Sequence, residues 1–236
     1  MTGMFSDAAL FNQDIGGWDT GNVTEMQSMF LRAGAFNQDL NTWDVSSVTN
    51  MAHLFSSATS FNGNVGSWNT SAATDMSSMF VYADAFNQDI GGWDTSSVTS
   101  MATMFSGATI FNQDISPWDV SNVTDMTGMF GASAFDQNIG SWDISSVTDM
   151  IGIFTSSALS GQNYDWILVG WAAQPVQYDV TIGSVSAQYS EWGAANARQR
   201  LVNDHSWAIF DNGQTSGYLG APGPAGGVVF YDKGDV

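Results

Sequence analysis

Phe86-Asn-Gln-Asp-Ile-Gly-Gly-Trp-Asp-Thr-Ser-Ser-Val-Thr-Ser-Met101 is one instance of a unit that recurs about every 25 residues. Units start at Met1, Met26, Met51, Met76, Met101 and Met126, and a partial one starts at Met150. The tryptophan column reads Trp18, Trp43, Trp68, Trp93, Trp118 and Trp142. The phenylalanine column reads Phe5, Phe30, Phe55, Phe80, Phe105, Phe130 and Phe154. A fixed period in the twenties marks a chain that winds one turn per repeat and stacks each turn on the next. The reading is a solenoid of about six 25-residue coils, built of short extended segments joined by turns and so mostly β. A stacked array presents a long regular surface, which favours binding and scaffolding over catalysis.

Within a unit, the columns of Met26, Met29, Phe30, Phe36, Leu40, Trp43 and Val48 are expected to face inward, buried only when neighbouring units stack. Phe36 to Leu40 reads as a strand and Trp43 to Ser47 as a turn. An Asp or Asn two residues ahead of a serine can hold such a turn by accepting its backbone N–H. Val48 to Phe55 reads as either a second extended stretch or a single helical turn. The third unit diverges most, with Gly63, Asn64, Asn69 and Ala73 replacing the usual Gln, Asp, Asp and Val.

The pattern changes near residue 160, giving a repeat region 1–160, an α+β cap 161–213 and a segment 214–236. In the cap, Asn163 reads as the N-cap of a helix from Tyr164 to Trp171. Tyr178 to Val185 reads as a strand. Ser190 to Asn203 reads as an amphipathic helix burying Trp192, Ala195, Ala197 and Leu201. Trp207 to Phe210 reads as a last strand. A cap of this kind shields the open end of a stack. From Gln214 on, a Gly/Pro-rich linker leads into Gly226 to Gly234, which reads as the start of a further module. Because the first unit begins in mid-pattern, the chain is expected to be part of a longer multidomain protein.

Charge narrows the partners. Acidic residues number 23 against 4 basic ones, a net charge of -19, and Arg32 is the only Lys or Arg before Arg198. Nothing here can neutralise a phosphate backbone, so nucleic acid is not an expected partner. An anionic membrane surface is equally disfavoured, and no run is long and apolar enough for direct membrane insertion. The chain has no cysteine, which removes disulfides, thiolate zinc sites and thiol catalysis.

The repeats, with their Phe-Asn-Gln-Asp-Ile, Trp-Asp and Val-Thr-x-Met steps, closely resemble the BspA-like leucine-rich-repeat surface proteins, including the mycoplasma lipoprotein-associated repeat set. The resemblance covers about residues 1 to 155. It implies a leucine-rich-repeat-like solenoid, secreted or at the cell surface, tied to adhesion and to host or matrix binding. It names no ligand.

Three columns are candidates for function. The first is Asp14, Asp39, Asp89 and Asp114, with Asn64 and Asn138 completing it. The second is Asp19, Asp44, Asp94, Asp119 and Asp143, broken by Asn69. Stacked about 4.8 Å apart, neighbouring carboxylates repel by roughly 1 kcal/mol even at the dielectric of water. Either backbone N–H groups at turns or a calcium ion, which takes oxygen ligands, could offset that. The substitution of Asn for Asp fits turn capping. The third column is Thr24, Thr49, Thr74, Thr99, Thr124 and Thr148, a candidate ligand-binding file whose rival readings are backbone hydrogen bonding and ice binding. The Asn12, Asn37, Asn62, Asn87, Asn112 and Asp136 file reads as a structural amide ladder, and the tryptophans read as core.

Catalysis has no constellation to support it, since the only histidines, His53 and His205, lack a neighbouring nucleophile or metal-ligand spacing. The sequence therefore points to an extracellular or cell-surface recognition solenoid, not an enzyme. It would bind a protein or glycan on another cell or matrix through its acidic surface. The alternatives are a structural stalk, calcium-stiffened or not, and an ice-binding protein.

Overall fold

The computed structural model describes residues 1–191 and 193–215. Trp192 and residues 216–236, including the Gly226 to Gly234 stretch, lie outside the described residues.

The expected mostly-β solenoid is not what forms. Residues 1–160 hold no strand, only isolated parallel bridges that join Glu25, Asn50, Asp75, Ser100, Asp125 and Asp149 in series. The rest of each unit is turn and loop. The physical reason lies in the Met-x-x-Met-Phe segment, where successive amides alternate between two partners. Met26, Ser28, Phe30 and Arg32 donate to Asn50, Ala52, Leu54 and Ser56, one turn of the stack further on. Met29, Leu31 and Ala33 donate back three residues within their own unit. Half of the ladder that would make a strand is thus spent on tight turns.

Those turns need left-handed backbone at two columns. One holds Gly3, Ser28, His53, Ser78, Thr103, Gly128 and Gly152. The other holds Asp7, Arg32, Ser57, Tyr82, Gly107, Ala132 and Ser156. Outside glycine this conformation costs roughly 1–2 kcal/mol per residue. Stacking with the unit on either side offsets that cost.

The units nonetheless stack, and aromatic rings run through the stack. Phe55, Phe80, Phe105 and Phe130 lie 5.6 to 6.0 Å apart and nearly parallel, and each pairs with the second phenylalanine of its own unit, as Phe80 does with Phe86 at 3.8 Å. Every expected inward column of the second unit is buried. Five of the six repeat tryptophans are core as well, while Trp18 of the first unit, with no unit stacked before it, is exposed. Trp43, Trp68, Trp93, Trp118 and Trp142 donate their indole N–H to a carbonyl of the preceding unit, from Ile15 O through Ile115 O. A buried indole N–H needs such a partner.

Phe36 to Leu40 is not a strand. Its backbone is held from the side by the amide ladder. Asn12 Oδ1 accepts from Asn37 N, Asn37 Oδ1 from Asn62 N, Asn62 Oδ1 from Asn87 N, and so on to Asp136 Oδ1 and Ser160 N. In four of the units the neighbouring glutamine adds a second bond, as Gln113 Nε2 does to Asn87 O and Oδ1.

The C-terminal part continues this hydrogen bonding with helices inserted. α1, Gly161–Ala172, is capped by Ser160, not Asn163. Asn163 instead donates to Asp136 O and Oδ1, the role glutamine plays upstream. β1, Thr181–Val185, follows the turn segment of the partial unit, with Gly152 N donating to Ile182 O. β2 is Tyr189–Ser190, and α2 runs Gly193–His205 with Ala194, Ala197 and Leu201 buried and Ala195 only half-buried. β3, Ala208–Asp211, pairs parallel with β1, and β4, Gln214–Thr215, pairs parallel with β2. Trp171 and Trp207 extend the indole-to-carbonyl pattern, to Ile139 O and Gln177 O.

Candidate functional site

Three files of aspartate-type turns run along the units, and these set the chemistry of the surface. In the first file Asp14, Asn64, Asp89, Asp114 and Asn138 accept the backbone N–H two residues on, at 2.9 to 3.0 Å. Asp39 departs from this, since its Oδ1 takes Asn64 N of the next unit. In the second file Asp19, Asp44, Asn69, Asp94, Asp119 and Asp143 do the same for Gly21, Ser46, Ser71, Ser96, Ser121 and Ser145. The third file was not singled out from the sequence. Asn50, Asp75, Ser100, Asp125 and Asp149 cap the turn that follows the bridge. A polar residue before each methionine, two ahead of the turn, is the signal that marks it.

Asparagine and aspartate make the same bond in these files, so the fold needs the acceptor oxygen and not the charge. All nine aspartates of the first two files are exposed. The second oxygen of Asp14, Asp39, Asp89 and Asp114 accepts no hydrogen bond among the described residues. The only ion pairs there are Arg32 with Asp7 at 2.9 Å and Arg198 with Asp211 at 2.7 Å. The two files therefore run unneutralised along the stack. Their carboxylates lie in single file, and among the described residues no group of three or more His, Cys, Asp or Glu comes together to hold a metal ion.

The carboxyls of Asp44, Asp94 and Asp119 titrate below the usual carboxylate range. The serine hydroxyl of the same turn is the largest cause and its backbone N–H the second. A group whose folded pKa is depressed stabilises the fold above its unfolded value and loses that contribution as pH falls through the folded one. The chain is therefore expected to lose stability as pH drops below 3.8, the unperturbed value. Exchanging Ser46, Ser96 and Ser121 for alanine should make that loss shallower in an acid titration followed by circular dichroism. An unchanged acid profile would count against this account.

Thr24, Thr49, Thr74, Thr99, Thr124 and Thr148 form an exposed file. From Thr49 on, each hydroxyl donates to the threonine carbonyl of the preceding unit at 3.1 to 3.3 Å. The donors are committed to the backbone, and the hydroxyls face solvent as acceptors. Neither histidine side chain hydrogen-bonds to a hydroxyl or carboxyl group among the described residues. His53 sits in a left-handed turn, and His205 ends α2 with its ring 5.3 Å from Tyr178.

The C-terminal part holds two shallow grooves. One, of about 370 Å³, lies between the last full unit and α1, beside Asp143 and Gln174. The other, of about 420 Å³, lies between α1 and β2, beside Asp165 and Asn212. Burial pushes the Asp165 carboxyl up, against the opposing pull of the Ser190 N–H. A charged cluster braces this part. Arg198 binds Asp211 Oδ2 and Ile209 O and lies 5.2 Å over the Tyr189 ring, while the Tyr164 hydroxyl donates to Asp211.

A family model described as "Mycoplasma protein of unknown function, DUF285" matches residues 1–82 and 61–166. No curated protein and no solved structure matches the chain.

Proposed function

The chain belongs to the DUF285 family of mycoplasma proteins, and from that premise we propose that it is a recognition module acting outside the cell or at its surface. Its two aspartate files engage a protein or glycan on another cell or matrix. The observation that carries this reading is that Asn64, Asn69 and Asn138 hold the same turns as the aspartates around them. The negative charge retained at nine of the twelve positions is then a property of the surface and not of the fold.

Repeated at one-unit spacing, such charges favour many weak contacts summed along a ligand. The exposed threonines supply hydrogen-bond acceptors beside them. Kinship with the BspA-like leucine-rich-repeat surface proteins is part of this proposal, and so is adhesion as its biological outcome.

The test is a variant with Asn at positions 14, 39, 89, 114, 19, 44, 94, 119 and 143. Binding is measured on surfaces coated with basic peptide, basic protein or neutral glycan, across a salt series. Affinity for the surface that the natural chain captures should fall by about tenfold or more, and its salt dependence should flatten. Unaltered binding by the variant would overturn the proposal.

A further inference from the structure

We propose that Tyr82 and Asp84, both exposed and two residues apart, are an anchoring point for an arginine side chain of a basic protein partner. This rests on the recognition reading above and gives it a specific contact. Tyr82 stands in the second left-handed column, with φ 52, where glycine would sit without strain. The column is left-handed in every unit, and Tyr82 is its one aromatic member. The residue is 57% exposed. Its ring packs closely on the next unit, so that a Cβ built on Gly107 would meet Tyr82 Cδ1 at 2.3 Å and Cε1 at 2.5 Å. Gly107, itself buried, is the one glycine in that column and makes room for the ring.

The result is an aromatic side chain that packs on Gly107 and stays largely open to solvent. Two residues on, Asp84 is exposed and has no ion-pair partner among the described residues. The edge of the patch is Ile110, 49% exposed, and Thr109, which donates to Asp84 O.

The chain itself shows how such a pair of groups meets a guanidinium. In the C-terminal part, Arg198 takes both an aromatic face, Tyr189 at 5.2 Å, and a carboxylate, Asp211 at 2.7 Å. Tyr82 and Asp84 bring the same two kinds of group to the surface. A guanidinium suits this better than an ammonium, since it is planar and stacks on aromatic faces while pairing with a carboxylate. The surrounding acidic files would steer a basic partner to it.

The experiment titrates the full chain with Arg-Gly and Lys-Gly repeat peptides of equal length and charge, read by fluorescence anisotropy. The natural chain should prefer the arginine peptide. Tyr82→Ser, which places at 82 the residue that Ser57 already supplies in this column, should weaken the arginine peptide about two- to fivefold and abolish the preference. Asp84→Asn should weaken both peptides. Equal affinity of the natural chain for the two peptides, or a preference that survives Tyr82→Ser, would overturn the proposal. So would binding of a neutral oligosaccharide that depends on Tyr82 without any arginine preference. The nine-aspartate variant separates the two claims. It should lose overall affinity and keep the ratio between peptides, whereas a loss of the ratio in Tyr82→Ser alone leaves the wider reading untouched.

Discussion

Replacing Phe80 with alanine is expected to cost about 3–5 kcal/mol of stability, the range for deleting a fully buried phenylalanine. Phe80 has no exposed surface and touches rings on every side. Phe86 lies at 3.8 Å, Phe55 at 5.6 Å, Phe105 at 5.7 Å and Trp93 at 6.2 Å. Those neighbours belong to three successive units, and each is itself locked by its own stack. The cavity cannot collapse without breaking register along the column. Phe5→Ala in the first unit is the internal comparison. That ring is only half-buried and stacks on one neighbouring unit, through Phe30 at 5.6 Å. Its loss should be well under half as large. Denaturant midpoints of the two variants check this, and equal losses would show that stacking between units does not carry the core.

Gly170→Ala is expected to destabilise the chain although it improves a helix. Alanine is favoured over glycine in a helix interior by about 1 kcal/mol. Position 170 reverses that sign because α1 touches the last full unit backbone to backbone. A Cβ there would lie 2.1 Å from Gly140 O and 2.6 Å from Gly140 C. Gly140 meets the helix equally closely, its own Cβ position falling 2.4 Å from Trp166 O. Main chain cannot step aside as a side chain can, so α1 must lift. Lifting it strains the Trp171 bond to Ile139 O and the stacking of Trp171 on Phe154 at 6.2 Å. Overpacking of this kind costs about 1–3 kcal/mol, and with backbone on both sides of the clash the upper end applies, so that a net loss of about 1–2 kcal/mol remains after the helix gain. A thermal melt that rises in G170A would mean that the helix is not seated as described.

The inward columns could be read from the repeat alone, because a position that is Phe, Trp or Met in every unit must be buried when units stack. The backbone class could not. Spacings of three between Met26, Met29 and their neighbours suit an extended segment and a string of turns equally well. What decides is the left-handed column, whose trace in the sequence is Gly3, Gly128 and Gly152 in one file and Gly107 in the other. Those glycines are scattered among Ser, His and Thr, so the requirement is masked wherever stacking offsets the strain.

The C-terminal part was legible in some elements and not in its plan. The expected segments fall near α1, β1, α2 and β3, whereas Ser190, read as the start of a helix, lies in β2, and Gln214, read as the start of a linker, lies in β4. That Asn163 would take over a glutamine's bonds and leave the cap to Ser160 depends on Asp136, 27 residues away. Of the surface, the turn-capping role of the aspartates followed from their exchange with Asn64, Asn69 and Asn138. The Tyr82 platform did not, since only the fold places Gly107 beneath it.

As proposed, the aspartate files are dispensable to the fold and available to a ligand, and the first measurement is the thermal melt of the nine-site Asp→Asn variant at neutral pH. If asparagine caps these turns as Asn64, Asn69 and Asn138 do, the midpoint should stay level or rise as repulsion along the files is relieved. A fall of more than about 4 °C, roughly 1 kcal/mol or more for a chain of this size, would show that the charges hold the turns themselves and would contradict the claim.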